Sequence, residues 1–349
     1  MIADDAQLAA LLPLLQSVDR VAVDTEADSL HCYQEKLCLM QLSFAGGDYL
    51  VDPLSPADLS PLASVLVAKE IVLQGADFDL RLLRRSLNFT ARRVFDTVIA
   101  ARLLGIREFS LAALVLRYFG VTLAKGSQKA NWARRPLTAQ MAEYAMNDTR
   151  YLLPLAEKLE AELGDRGRIE WFRQSCEKAL EQAALDRVRE DDEVWRIGGS
   201  GALRGVAAAV LRALWRWRDG EARAVDRPAF HILQNHLLIA AAEDFAAGKS
   251  PDFRHFSPRR RRAFVDAAEG ALQLAESEWP QRRPRLGVRP TPEMERRGDE
   301  LRRRRDAAAH ELGIESAFIA PRAAVDAIAA DVARADDYLV PWQREMLRV

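Results

Sequence analysis

Three cysteines in 349 residues, Cys32, Cys38 and Cys176, are too few and too odd in number for a disulfide framework, which fits a reducing cytosol. No C-x-x-C pair occurs and the five histidines are scattered, which argues against a structural zinc site. Long apolar runs are also missing. The longest uncharged stretches reach about ten residues, where a membrane-spanning helix needs about 20. The first residues, Met-Ile-Ala-Asp-Asp, are acidic where a secretion signal is basic, so a cytoplasmic protein with no membrane attachment is expected. Lysine is scarce as well. Of 50 basic residues only 7 are lysine and 43 are arginine, the side chain suited to bidentate phosphate contact and base stacking. They are offset by 51 acidic residues, and the net charge of −1 taken alone speaks against a dedicated nucleic-acid binder. The clustering of charge therefore matters more than its sum. What is present in ordinary amount, 49% hydrophobic and 29% charged residues, describes a globular chain long enough for two or three domains.

Residues 1 to about 165 alternate strand-like and helix-like segments. Val21–Asp24, Leu37–Phe44 and Tyr49–Val51 read as strands, the last two joined by the turn residues Gly46-Gly47. Helical stretches then alternate with Ile71–Leu73 and Val94–Phe95, which predicts a mixed sheet covered by helices. From Thr138 onward only helical patterning occurs. Gly198-Gly-Ser-Gly201 is the clearest linker signal, and a Pro/Arg-rich segment from Pro280 to Pro292 separates two helical blocks. The expected layout is an α/β domain at 1–165, a helical connector at 166–198, a helical bundle at 199–280 and a second at 290–349.

Carboxylates occupy positions where periodicity calls for apolar residues. In Val21-Ala-Val-Asp24-Thr-Glu26, strand alternation puts Asp24 and Glu26 on one face, about 7 Å apart. Ala76, Leu80, Leu83 and Leu87 form the apolar stripe of a helix, and Asp79 falls inside it, whereas Asp77 shares the polar face with Arg81 and Arg84. In the helix that begins after Thr138, Met141, Tyr144, Ala145, Leu152 and Leu155 make a stripe with Asp148 in its middle. Tyr144 lies one turn before Asp148 on the same face. A buried carboxylate needs a cation or a raised pKa. Three such anomalies without a matching buried arginine pattern point to a divalent cation, and all-oxygen ligands point to Mg²⁺ or Mn²⁺. Two such ions held by four carboxylates suit phosphoryl chemistry: a phosphatase, a nuclease or a nucleotidyl transferase.

Val-Ala-Val-Asp24-Thr-Glu26-Ala-Asp-Ser-Leu, Gly-Ala-Asp-Phe-Asp79-Leu and Tyr144-Ala-Met-Asn-Asp148-Thr-Arg-Tyr-Leu-Leu-Pro-Leu resemble the three exonuclease motifs of the ribonuclease D family, in the tyrosine-containing branch of the DEDD exonucleases. Tyr33-Gln-Glu-Lys-Leu-Cys-Leu-Met-Gln-Leu extends the first motif. Lys125, Gln128, Asn131, Trp132, Arg135, Pro136 and Leu137 match a further family segment. The resemblance covers roughly residues 1 to 165. It implies a ribonuclease-H-like α/β exonuclease fold and 3′→5′ release of single nucleotides from RNA 3′ ends, with tRNA precursors and other structured RNA as substrates. It further implies two divalent cations, Mg²⁺ or Mn²⁺, on Asp24, Glu26, Asp79 and Asp148, with Tyr144 placing the attacking water. Gln74 stands where the family often has histidine, and Ala130 replaces a common serine. Leu203 to Ala275 looks like an all-α HRDC domain, and Glu300 to Leu347 like a more divergent copy; such domains help grip RNA. A DNA exonuclease and a non-catalytic RNA-binding protein on the same fold are the alternatives. No obligate protein partner is implied.

Several residues are candidate RNA contacts. Lys125, Lys129, Arg134 and Arg135, interleaved with Trp132 and near Gln128, suit a phosphate backbone and a stacked base, against a structural role for the loop. His31 and Tyr33 follow the first motif and are placed to meet a terminal nucleotide or to pack the loop. Arg259 to Arg262 and Arg302 to Arg305 are basic runs that bind RNA or coat a solvated helix. Asp96, between a strand and a helix, is read as an N-cap. Of Trp215 and Trp217, one is expected in a core and one on the surface.

Overall fold

The computed structural model describes residues 1–124, 126–185, 193–281 and 291–349. Five strands form one mixed sheet: β1 (Arg20–Ala27), β2 (Leu37–Phe44), β3 (Gly47–Val51), β4 (Glu70–Leu73) and β5 (Arg93–Asp96), in the spatial order β3-β2-β1-β4-β5. β1, β2 and β3 pair antiparallel, while β4 and β5 join β1 in parallel register. This is the mixed, helix-covered sheet that the hairpin-then-alternation pattern predicts. β1 runs beyond the expected Asp24 to take in Thr25 and Glu26, and its register with β2 shifts between Glu26 and Ala27.

Helices α1 (Asp5–Gln16), α2 (Ser60–Leu66), α3 (Asp77–Leu87), α4 (Thr97–Leu103), α5 (Leu111–Phe119), α6 (Ala139–Arg150), α7 (Leu152–Asp165) and α8 (Ile169–Ala184) accompany the sheet. The single helix expected after Thr138 is two helices, divided at Tyr151. Pro154 supplies the reason, since its ring clashes with the carbonyl four residues earlier, that of Arg150. Within the segment expected as a connector, residues 169–184 form α8, which packs on β5.

Two compact units divide the chain. The first holds residues 1–27, 36–185 and 291–349, the second 28–35 and 193–281. Among the described residues no helix is long and apolar enough to cross a membrane. The C-terminal segment, α13 (Pro292–Leu312) and the short helices after it, belongs to the first unit and shares its core from Leu8 to Leu347. Gly105 (φ +74°) passes so close to the Gly313 carbonyl that a Cβ would stand 2.2 Å from its oxygen. Arg168 donates to the carbonyl of Leu312 (2.8 Å). Trp342, 1% exposed, stacks on Trp171 with centroids 5.1 Å apart and donates its indole N–H to Ser175 (3.1 Å).

In the second unit, α9 (Gly205–Ala224), α10 (Ala229–Ile232), α11 (Asn235–Ala246) and α12 (Pro258–Leu272) surround a core of Leu211, Leu214, Leu238 and Phe264. Trp195 already lies in this core, so Gly198-Gly-Ser-Gly201 folds inside the unit, ending in a 3₁₀ turn at Ser200–Ala202. Trp215 and Trp217 are both half-buried instead of one in and one out, each packed against the edge of this core; Trp217 meets Phe264 edge-on at 4.7 Å. Buried Arg218 donates to the Leu233 carbonyl and the Asn235 side chain.

Candidate active site

The pleat of β1 places Ala22, Asp24 and Glu26 on one face of the sheet and Val21, Val23 and Thr25 on the other. Asp24 lies opposite Gln41 and Glu26 opposite Leu39 on β2. Helix α6 packs over this face, started by the Thr138 hydroxyl, which accepts from the N–H of Met141. Ser43 on β2 shares a hydrogen bond with Thr149 (2.7 Å), and Arg150 donates to Asp48 (2.7 Å). With α6 fixed in this way, Asp148 meets the two acids of β1. One oxygen from each of Asp24, Glu26 and Asp148 lies within 4.8 Å of the other two.

Asp79 reaches the same place by another route. It is buried in the first turn of α3, where the helix dipole favours an anion. The Thr25 hydroxyl donates to it from β1. The loop before α3 is held by Asp96, whose carboxylate accepts from the N–H groups of Gly75 (3.1 Å) and Ala76 (2.9 Å). Asp96 also caps α4 through Val98 (2.8 Å), as its position after a strand predicts. Gly75 takes φ +79°, which a side chain would strain. Asp79 stands outside the mutual Asp24–Glu26–Asp148 group, yet its charge acts on all three.

Burial, then mutual repulsion, governs the electrostatics. Burial pushes Glu26 up to about 9, helped by Asp148 and Asp79. Asp148 rises to about 7, with burial outweighing its bond from Tyr144, and Asp79 to about 6 through burial. Burial and the charges of Asp79, Asp148 and Glu26 hold Asp24 well above the ordinary carboxylate range. Among the described residues no lysine or arginine is one of the main groups that set these values. Hard oxygen donors at short spacing, with repulsion that only positive charge relieves, fit a divalent cation of the Mg²⁺ or Mn²⁺ kind. The Tyr144 hydroxyl donates to Asp148 and accepts from Gln128. Burial first, then the acids, raise its pKa, so it keeps its proton near neutrality.

The expected RNA contacts divide. Lys125 lies outside the described residues. Gln128 is exposed and holds Tyr144. Trp132 corrects the expectation of a stacking platform. It is 1% exposed and packs with Cys38, Leu39, Leu50, Met141 and Ala145, because this apolar ring backs the Tyr144 ring at 6.1 Å. Arg135 likewise is a latch, not a phosphate ligand. Its guanidinium makes two 2.6 Å bonds to Asp52 and donates to the carbonyls of Cys38 and Trp132. His31 and Tyr33 belong to the second unit, where the Tyr33 hydroxyl meets both oxygens of Asp219 (2.8 and 2.9 Å) and its N–H donates to Asp226. Arg302 to Arg305 are each ion-paired along or beside α13. Gln74 packs by donating to the Phe109 carbonyl (2.7 Å). Sequence reasoning missed Thr25, Gln41, Asp52 and the second role of Asp96; the Asp-Thr-Glu triplet was the one local sign of Thr25.

Residues 1–164 match the family model described as 3′-5′ exonuclease, and residues 207–246 match that of the HRDC domain. Ribonuclease D of Sphingobium indicum is 31% identical over 247 residues, covering 69% of this chain and 63% of that protein. Ribonuclease D of Zymomonas mobilis is 30% identical over 297 residues, 82% of this chain and 76% of its own length. The chain belongs to the ribonuclease D family. Among solved structures, Escherichia coli RNase D, described as an exoribonuclease involved in structured RNA processing, superposes with a TM-score of 0.74. The identity is 25%, over 100% of this chain and 96% of that one. As a member of the ribonuclease D family, the chain is an exoribonuclease with an HRDC domain.

Proposed function

We propose that this chain shortens RNA from the 3′ end by hydrolysis, releasing nucleoside monophosphates, and that it trims structured precursors such as tRNA in the cytoplasm. The observation that carries the reading is the group of Asp24, Glu26 and Asp148 oxygens within 4.8 Å of one another, with Asp79 beside them and, among the described residues, no basic side chain among the main charges acting on them. These four acids would hold two divalent cations, Mg²⁺ or Mn²⁺. Such ions supply a water of lowered pKa and stabilise the entering and leaving oxygens of a phosphodiester.

The chain's own residues do the rest. Tyr144, which keeps its proton, offers its hydroxyl to orient the attacking water, while Asp148 and Gln128 fix that hydroxyl. Thr25 and Asp96 hold Asp79 in place. Residues 1–165 carry the catalytic site, 199–280 are an HRDC module that grips RNA, and 290–349 are a divergent relative of it whose described residues fold into the first unit instead of forming a separate bundle. The test is the product ladder from 3′-extended tRNA, unstructured RNA and a matched DNA, each with Mg²⁺ and with Mn²⁺. Single-nucleotide steps on RNA with little release from DNA are expected. Equal release from both supports a DNA exonuclease, and RNA binding without metal-dependent release a non-catalytic protein.

A further inference from the structure

Gln41 lies in the middle of β2, 0% exposed, and neither its Nε2 nor its Oε1 has a hydrogen-bond partner. Among the described residues it is the one side chain with two separate polar atoms that are both buried and unmet. Leaving a buried amide unmet is costly, so such a group in a well-packed strand calls for a function.

The register says what that function is. Cross-strand partners share a face, with Cβ atoms about 4.5–5.5 Å apart. Gln41 lies opposite Asp24 on one side and Leu50 on the other. Along its own strand the same face carries Leu39 and Ser43, and Ser43 is already engaged with Thr149 and Asp48. Fully buried Ala145 belongs to the helix lying over this face. Leu39, Leu50 and Ala145 offer no polar side-chain atom, which leaves Asp24 as the cross-strand group able to use the carboxamide.

We propose that Gln41 is a positioning residue for the metal site: its carboxamide N–H, unmet in this structure, turns to donate to the cross-strand Asp24 carboxylate when that acid receives a divalent cation, and so fixes the acid's orientation. A carboxylate that gives one oxygen to a cation still has lone pairs to satisfy, and hydrogen bonds from neighbouring groups orient such ligands and tune their affinity. The amide is neutral, so it supports a carboxylate without competing with the cation, which an arginine at this position would do. This rests on the reading of Asp24 as a metal-binding acid in a nuclease.

The experiment compares the unaltered chain with Gln41→Leu and Gln41→Met, using Mn²⁺ alone as the probe. Each protein is melted across a Mn²⁺ titration, and single-nucleotide release is measured over the same range. The expected result is that the apolar variants fold with an undiminished metal-free melting temperature, since an unmet buried amide is gone. The Mn²⁺ concentration for half-maximal stabilisation and half-maximal turnover rises about 10-fold or more. Gln41→Met decides if Gln41→Leu fails to fold, because its unbranched side chain matches glutamine in length. Unchanged Mn²⁺ dependence in the folded variant overturns the role of Gln41 and leaves the nuclease reading intact. Absence of any Mn²⁺ response in the unaltered chain overturns the metal-site reading itself.

Discussion

Two buried acidic regions of the same unit are built on opposite principles. At Asp52, burial raises the carboxyl pKa, but two bonds from Arg135 and one from the Leu54 N–H more than reverse it and leave the acid below its ordinary range. Around Asp24, Glu26 and Asp148 burial also raises the pKa, and the neighbours that matter are other acids. The first region holds the loop of Trp132 against the sheet and is complete as it stands. The second is complete only with added positive charge. Asp52 is given its counter-charge by the fold, whereas among the described residues no cation is one of the main charges acting on Asp24, Glu26 and Asp148. Asp96 lies between the two: burial still raises it, yet four backbone N–H groups satisfy it.

That contrast is open to direct attack. The largest effect is expected from Asp148→Asn, which should lower nucleotide release by about 10³-fold, the scale for losing one preorganised electrostatic group. Melting followed by circular dichroism should show the metal-free fold no less stable, since the change removes repulsion. Arg135→Ala should do the reverse. Stripping the counter-charge from buried Asp52 should cost about 3 kcal/mol of stability in urea unfolding, while the folded fraction keeps its turnover. Tyr144→Phe should reduce kcat by about 10²-fold with KM little changed, as the hydroxyl orients a reacting water instead of binding RNA.

The smallest effect is one of pH. The folded pKa values of Asp79, Asp148 and Glu26, about 6, 7 and 9, lie above the unfolded range. The stability these groups allow the metal-free fold is therefore fully present below about pH 4 and lost as pH rises through 6 to 9. Saturating Mn²⁺ should raise the melting temperature little at pH 5.5 and by a few degrees at pH 8.5, roughly 2 °C per kcal/mol. A metal-induced gain that is flat with pH would break the contrast.

Much of this was legible in the chain because it rests on local periodicity. Alternation along β1 put Asp24 and Glu26 together, and the stripes of α3 and α6 turned Asp79 and Asp148 inward. What was not legible depends on partners distant in sequence. Asp96 reads as an N-cap from its neighbours, but its bonds to Gly75 and Ala76 exist only because β4 and β5 lie side by side. Trp132 and Arg135 look like an RNA-binding loop for the same reason: an aromatic among cations has one pattern whether it faces solvent or Asp52. Gln41, polar in an apolar strand, is as visible as Asp79, but its meaning appears only with the strand register. An amphipathic C-terminal helix announces that it will be covered without naming what covers it.

The return of residues 291–349 to the first unit has a consequence for biosynthesis. The strands and candidate site acids leave the ribosome first, yet the core of their unit also includes Leu301, Ile328 and Trp342, which leave it last. Domains ordinarily fold in sequence as the chain emerges. Here the segment made earliest waits for the one made latest, with the whole helical unit synthesised in between. A stalled or shortened chain would carry every acidic residue of the site and still lack a finished body to hold them.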